Sequence, residues 1–139
     1  MITLVDTSVW SLALRRKPED LNAVERKIVA ELTEIIQEGL VRVIGPVRQE
    51  LLSGIRSAVQ YEKLRITLRA FPDEMIDTTD FERAAKAGNE CRAKGIMVST
   101  VDMLICAVAL ARGWSIFTTD PDFTNYAKVL PINLHISRH

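Results

Sequence analysis

Several acidic residues follow or begin segments that are otherwise mostly apolar. Asp6 comes directly after Ile-Thr-Leu-Val, and Asp102 precedes the uncharged run MLICAVALA. Asp120 and Asp122 follow the segment WSIFTT, and Glu50 lies in the short segment PVRQELLSG. A carboxylate near apolar surroundings is costly unless a hydrogen bond, another charge or a cation compensates it. These residues are therefore candidates for a shared site.

Each carboxylate taken alone has an ordinary structural explanation. Asp6 and Asp120 stand where a helix N-cap is expected, and for Asp6 capping is the favoured explanation. Glu50 is readily explained as a solvent-facing helical residue. For Asp102 a functional role is equally well supported. A helix-dipole interaction of about 0.3 to 1 kcal/mol is small against the cost of desolvating a carboxylate at the start of a buried helix.

Convergence of these residues would have a chemical consequence. Two carboxylates about 4 Å apart repel by roughly 4 kcal/mol at an effective dielectric near 20, so they must share protons or a cation. An oxygen-only cluster without His or Cys suits Mg²⁺ or Mn²⁺ better than zinc. Such a cation binds phosphate and lowers the pKa of its bound water.

The elements that would position the carboxylates alternate between strands and helices. Strands are predicted at residues 2–6, 40–44 and 74–77, in WSIFT and in INLHI. Helices are predicted from Thr7 or Ser8, over 21–38 with an Asn22-x-x-Glu25 capping box, from Gly45-Pro46 to Gly54, over 57–70, from Thr79-x-x-Glu82 to Gly95, and from Thr100 to Gly113.

This alternation predicts an α/β fold, with a mostly parallel central sheet of about five short strands covered on both faces. Ligands in such folds bind beyond the carboxyl ends of the strands. Asp6 and Asp120 each follow a predicted strand, so both are expected at the same rim of the sheet.

Length and composition indicate one globular domain over residues 1–139, with 47% hydrophobic and 26% charged residues. Eighteen basic and eighteen acidic side chains give a net charge of zero, so the overall field does not attract nucleic acid. Arg15-Arg16-Lys17 is the one compact basic run, and a solvated loop is its favoured explanation.

Other features of the sequence indicate the compartment. Cys91 and Cys106 lack metal-like or CxxC spacing, so they are predicted to be buried reduced thiols. Neither a signal peptide nor a membrane span is predicted, so a cytoplasmic protein without membrane contact is expected. Trp10 and Trp114 are expected to pack in the core.

Four segments together resemble the PIN-domain nucleases, and within them the VapC-type toxins of toxin–antitoxin pairs. They are VDTSVW, PVRQELLSG, STVDMLICAVAL and IFTTDPDF, and the resemblance covers essentially the whole chain. It implies a PIN-like α/β/α sandwich and an acidic metal site. The implied metal-binding and catalytic residues are Asp6, Glu50, Asp102 and Asp120, with Asp122 as an outer contributor and Ser8 and Thr118 supporting the site by hydrogen bonding.

The resemblance also implies an activity and partners. The activity is Mg²⁺- or Mn²⁺-dependent hydrolysis of RNA phosphodiester bonds, which leaves a 5′ phosphate and a 3′ hydroxyl, and neither a general base nor the number of metals is assigned. The implied partners are a second copy of the chain and an antitoxin held by helix 21–38 and segment 57–70. Arg15, Arg16 and Lys17 are the nearest candidates for RNA contacts.

Other protein classes fit the sequence less well. A metal-dependent adhesion module needs Asp-x-Ser-x-Ser, but Trp10 stands at the last position. A phosphatase of the haloacid-dehalogenase kind needs Asp where Ser8 stands. The remaining alternative is a PIN-like domain that processes RNA in an assembly or binds a partner and is not a toxin. His135 and His139 have no evident carboxylate partner and are not predicted to be catalytic bases.

Overall fold

The computed structural model describes residues 1–138, and within them the sheet has four parallel strands. They are β1 (Thr3–Val5), β2 (Val41–Arg42), β3 (Ser115–Phe117) and β4 (Asn133–Leu134), in the spatial order β2-β1-β3-β4. The predicted α/β class is confirmed, although the sheet has one strand fewer than the five expected.

Seven α-helices flank the sheet in the described part of the chain. They are α1 (Thr7–Leu14), α2 (Ala23–Gln37), α3 (Gly45–Leu52), α4 (Ala58–Leu68), α5 (Thr78–Ala93), α6 (Thr100–Arg112) and α7 (Asp122–Tyr126). α6 contacts both β1 and β3, α5 packs along α6, and α1 packs against α2 and α3. Residues 103–109 of α6 are all buried, as its uninterrupted apolar sequence predicts.

The predicted strand at residues 74–77 does not form. Its neighbourhood makes a single parallel bridge, between Val43 and Asp73, and the Glu74 N–H donates to the Val43 carbonyl at 2.8 Å. Arg112 then occupies the segment, because its guanidinium donates to the Glu74 carboxylate at 2.9 Å and to the Met75 carbonyl at 2.8 Å. A side chain thus takes the Met75 carbonyl, a backbone acceptor that a longer ladder would have used.

Helix capping is predicted correctly at α2 and incorrectly at α5. Asn22 and Glu25 form the expected reciprocal box at the start of α2. In α5 the box is made by Asp77 and Asp80, so the helix begins at Thr78 and the predicted pair of Thr79 and Glu82 is wrong. Asp80 is buried and also bound by Arg112, and a local pattern cannot reveal this contact between distant segments.

The sheet has a topological switch point between β1 and β3, because the chain adds strands on opposite sides of β1. β2 lies on one side of β1, β3 lies on the other, and Val5 is paired with Phe117 at the carboxyl end of both strands. Parallel sheets bind ligands outside the carboxyl ends of their strands at such a switch point. Asp6 and Thr118 follow the two strands directly, so the fold places both at this rim.

The tryptophan and cysteine side chains pack largely as the sequence predicts. Trp10 is 1% exposed and is part of the core, whereas Trp114 is partly buried against it. Cys91 and Cys106 are buried free thiols. Within residues 1–138, no helix has both the length and the apolar character needed to cross a bilayer.

Candidate active site

Asp6 is held by hydroxyl groups from both sides of the switch point. It is 5% exposed, and its Oδ2 accepts hydrogen bonds from Ser8 Oγ and Thr118 Oγ1, each at 2.8 Å. Asp6 occupies the N-cap position of α1, but its side chain makes no capping bond. Capping is therefore not what its carboxylate does, although the sequence favoured that explanation.

Ser8 and Thr118 also organise the chain after β3. Thr118 Oγ1 accepts from the Asp120 N–H at 3.0 Å, and Ser8 Oγ accepts from the Thr119 N–H at 3.0 Å. The two hydroxyl oxygens lie 3.3 Å apart. One compact network thus connects the carboxylate of Asp6 to the backbone that carries Asp120.

Asp102 lies in the first turn of the buried helix α6. Its backbone N–H donates to the Oγ of the N-cap residue Ser99 at 3.1 Å, which fixes the start of the helix. Its Oδ2 accepts from the phenolic hydroxyl of Tyr126 at 2.7 Å, and Tyr126 is 1% exposed. The other carboxylate oxygen has no such fixed donor among the described hydrogen bonds.

The side chains of Asp102, Asp120 and Asp122 converge. Each offers one carboxylate oxygen, and the three atoms all lie within 4.8 Å of one another. Asp120 Oδ1 accepts from the Asp122 N–H at 2.9 Å, which closes the turn before α7. We call Asp102, Asp120 and Asp122 the acidic triplet.

Asp6 and Glu50 lie outside the triplet as so defined. Glu50 is exposed on α3, and its Oε1 accepts from the Thr7 hydroxyl at 2.8 Å. Because Thr7 follows Asp6 directly, this bond places Glu50 on the same side of α1 as the site. The structure therefore brings Asp122 into closer association with Asp102 and Asp120 than the sequence indicated.

The electrostatics of Asp102 reflect this crowding. Burial raises the pKa of its carboxyl, and the negative charges of Asp6 and Asp120 raise that pKa further. The hydrogen bonds from Tyr126 and Ser99 act in the opposite direction. An ionised Asp102 is thus energetically costly in the protein alone, and a bound cation would relieve that cost.

The donor set fits a hard divalent cation. Every donor of the triplet is a carboxylate oxygen, and Asp6 and Glu50 add only further carboxylates. Mg²⁺ and Mn²⁺ prefer such oxygen ligands, whereas zinc sites usually include nitrogen or sulfur. The hydroxyl groups nearby donate hydrogen bonds to these carboxylates, and such bonds orient carboxylates that bind a metal.

The three candidate RNA-binding residues differ in their surroundings. All three are exposed. Arg16 approaches the Glu25 carboxylate at 3.5 Å and donates to the Asp20 carbonyl at 3.2 Å. Arg15 and Lys17 make no ion pair within the described residues.

The sequence did not indicate Tyr126 or Thr7 as part of this region. Tyr126 is four residues after Asp122 in the short helix α7, and nothing in that spacing shows that its hydroxyl faces a residue on α6. Of the two C-terminal histidines, His135 lies near Glu31 with its Nε2 3.4 Å from Oε1. His139 lies outside the described residues.

The fold and site define a parallel α/β protein with carboxylates gathered at a switch point of its sheet. The sequence matches the PIN domain family over residues 3–129. This chain belongs to the PIN-domain family, and the resemblance in its four motifs is thereby confirmed.

Solved structures share the fold over nearly the whole chain. FitAcB from Neisseria gonorrhoeae matches with a TM-score of 0.75 and 21% identity, covering 99% of both chains. VapBC2 from Rickettsia felis, bound to a DNA fragment from its promoter, matches with a TM-score of 0.75 and 16% identity, covering 97% of this chain and 98% of the other. A toxin-antitoxin complex from Klebsiella pneumoniae matches with a TM-score of 0.63 and 18% identity, covering 87% and 89%. No curated protein matches the sequence significantly.

Proposed function

We propose that this chain is a metal-dependent endoribonuclease and acts as the toxin of a toxin–antitoxin pair. The observation that carries the proposal is the acidic triplet beside the buried Asp6, at the carboxyl ends of β1 and β3 in a PIN-domain chain. So many carboxylates at one place need a compensating cation, and a divalent cation in an open site is suited to phosphodiester hydrolysis.

The residues proposed to hold the cation are Asp6, Glu50, Asp102 and Asp120. The closeness of Asp122 to Asp102 and Asp120 favours a place for it in the same site. A bound Mg²⁺ or Mn²⁺ would neutralise charge on the scissile phosphate and lower the pKa of a bound water.

The chain's own residues orient these ligands. Ser8 and Thr118 donate to one oxygen of Asp6, which leaves its second oxygen available to the site. Tyr126 does the same for Asp102. Hydrogen bonds of this kind fix the direction of a ligand and raise its affinity for the metal, so the hydroxyls are proposed as supporting groups.

The toxin role rests on similarity of fold and motifs. The matched structures include VapBC2 and a toxin-antitoxin complex, although their sequence identities of 16% and 18% to this chain show likeness of fold alone. RNA as substrate, the 5′-phosphate product, the antitoxin and a homodimer follow from the motif resemblance. The expected site of action is the cytoplasm.

Cleavage of structured RNA by the purified chain tests the enzymatic part. We expect cutting with Mg²⁺ or Mn²⁺, no cutting with chelator, and a loss of at least about 100-fold in Asp102→Asn, which removes one charge with little change in volume. Glu82→Gln is the matched control, since it also converts a carboxylate to an amide but at an exposed position on α5. Wild-type cleavage by Asp102→Asn would show that the metal-site assignment is wrong.

Growth of a bacterial host tests the toxin part. Induced wild-type protein should arrest growth, whereas Asp102→Asn at equal abundance should not. Co-expression of an antitoxin from a neighbouring short reading frame should restore growth. RNA cleavage in vitro without growth arrest would favour the alternative, an RNA-processing PIN-like domain that is not a toxin.

A further inference from the structure

A second groove lies at the far end of α1 from the acidic residues. It has a volume of about 520 Å³ and is formed by the end of α1, the loop after α3 and one face of α4. Arg15, Lys17, Arg56 and Lys63 contribute basic side chains to its lining, and we call it the basic groove. Its lining also includes the apolar side chains of Leu14, Pro18, Ile55 and Leu64.

Within the described chain, four of the five basic side chains that line the basic groove are unpaired; the fifth, Arg16, lies 3.5 Å from the Glu25 carboxylate. All four basic residues are exposed, and within residues 1–138 none of them forms an ion pair. Several other arginines of the chain are neutralised by carboxylates, as in the pairs Arg112 with Asp80 and Arg48 with Asp73. Although the net charge of the chain is zero, these unpaired basic side chains create a positive potential in the groove.

The groove is connected to the acidic site by two helices. α1 begins at Thr7, next to Asp6, and ends at Leu14 in the groove lining. α3 carries Glu50, and the loop after it supplies Gly54, Ile55 and Arg56 to the groove. Since α1 has eight residues, it spans about 12 Å at 1.5 Å per residue, a distance that a few phosphates of one strand cover.

We propose that the basic groove binds the phosphodiester backbone of the RNA substrate, on the strand that continues from the acidic site. This inference rests on the proposed function and adds a second contact area to it. The carboxylates repel RNA until a cation is bound, so a nuclease without net positive charge needs its phosphate contacts elsewhere. The basic groove supplies four such contacts.

An acidic polypeptide is the competing occupant. It would satisfy the same cations, and segment 57–70, which the motif resemblance gives to the antitoxin, supplies Lys63 and Leu64 to the lining. RNA is favoured because the proposed nuclease needs phosphate contacts beside its acidic site. RNA explains both the charge and the position. We therefore assign RNA as the occupant, and the polypeptide becomes an outcome of the test.

Binding of a short fluorescent single-stranded RNA of mixed sequence, in chelator so that no cutting occurs, tests the assignment. The variant is Arg56→Gln combined with Lys63→Gln, with affinity measured over a range of salt concentrations. For single-stranded RNA, removing one phosphate-binding cation should reduce the slope of log affinity against log salt by about 0.7. We expect a reduction of about 1.4 for the double variant and roughly tenfold weaker binding at low salt, whatever the RNA sequence.

The matched control removes two positive charges outside the groove, as Lys86→Gln combined with Lys94→Gln on α5 and at its end. Both lysines are exposed. The control should bind within about twofold of wild type with an unchanged slope. A groove variant that binds RNA with wild-type affinity and slope would overturn the proposal, and so would an equal loss in the control variant.

Two further measurements, RNA cleavage and poly-glutamate binding by the same variants, distinguish this proposal from the nuclease proposal and from an acidic-polypeptide occupant. If wild type cuts RNA but the groove variant binds and cuts it equally well, the groove assignment fails while the nuclease stands. If wild type cuts nothing but the groove variant alone loses RNA binding, the groove assignment stands without the nuclease. If the groove variant loses binding of poly-glutamate but keeps that of RNA, the occupant is an acidic polypeptide and the proposal is wrong.

Discussion

The hydroxyl group of Tyr126 donates a 2.7 Å hydrogen bond to Oδ2 of Asp102, although the two residues belong to different helices, α7 and α6. Tyr126 is buried, and the bond to Asp102 satisfies its hydroxyl group, so this contact accounts for the position of the hydroxyl beside the carboxylates. The same carboxylate group of Asp102 belongs to the acidic triplet with Asp120 and Asp122.

Tyr126→Phe should therefore impair cleavage without unfolding the protein. Loss of a hydrogen bond that orients a metal ligand typically costs about 10-fold to 100-fold in metal affinity or activity. We expect cleavage to require more Mg²⁺, with partial recovery at high metal concentration, which a purely structural defect would not show. Tyr61→Phe removes a hydroxyl from the more exposed tyrosine of α4 and should leave the metal titration unchanged.

Asp102→Asn should raise the stability of the metal-free protein. Burial and the charges of Asp6 and Asp120 raise the pKa of this carboxyl, so its ionised form at neutral pH opposes folding. An amide removes that charge and still accepts a hydrogen bond from Tyr126. Thermal unfolding in chelator should show a Tm a few degrees higher than wild type at pH 7. A lower Tm would mean that the carboxylate is not under electrostatic stress.

The raised pKa of Asp102 also determines how the difference in Tm between Asp102→Asn and wild type depends on pH. As pH falls, wild-type Asp102 becomes protonated in the folded protein before it does so in the unfolded chain, and the folded state gains stability relative to the variant. The excess Tm of Asp102→Asn should thus shrink from pH 7 toward acid pH. An excess that stays constant or grows would contradict the assigned direction of the shift.

Thr118→Val tests the link between Asp6 and Asp120. Valine has the shape of threonine but removes the hydroxyl that donates to Asp6 and accepts from the Asp120 N–H. We expect a loss of about 10-fold to 100-fold in cleavage and about 1 kcal/mol in unfolding free energy. Thr119→Val makes the same change one position later at an exposed side chain and should have little effect on either quantity.

Asp80→Asn should destabilise the fold away from the site. The Arg112 guanidinium beside Asp80 lowers the pKa of that carboxyl from 3.8 to about 2. Because the folded pKa is depressed, this stabilisation is fully present above about pH 4 and is lost as pH falls toward 2. Urea unfolding should show wild type about 2 kcal/mol more stable than the variant at pH 7.

The difference between wild type and Asp80→Asn should become smaller at pH 3, because the unfolded chain then begins to bind a proton at Asp80. Glu62→Gln breaks the exposed pair with Arg65 on α4 and serves as the comparison. It should change stability little at either pH, because solvent screens exposed pairs. Equal effects of the two substitutions would contradict the importance of burial at Asp80.

The sequence predicts those parts of the fold that local patterns determine. Helix α2 is predictable because Asn22, Glu25 and the helical spacing of apolar residues all lie within one segment. The strand predicted at 74–77 is wrong because Arg112, far along the chain, binds the Met75 carbonyl and the Glu74 carboxylate there. The predicted start of α5 is wrong for a related reason, since Asp80 serves both the cap and that arginine.

The same division holds at the site. Asp6 and Asp120 could be assigned to one rim because each follows an apolar strand and parallel strands end together. The sequence could not predict that Asp122 lies close to Asp102 or that Tyr126 donates to Asp102. Both contacts depend on how α7 packs against α6. Sequence spacing indicates which side chains reach an edge, and only packing decides which of them touch.

The network between Asp6 and Thr118 joins residues 112 positions apart. A growing chain on the ribosome therefore carries Asp6 and Ser8 from the start but has neither Thr118 nor Asp120 until most of the sequence has been made. Pairing over such long separations forms late in folding. An interrupted product of translation that stops before β3 would thus hold no assembled acidic site, so any activity of that site would belong only to chains synthesised beyond that strand.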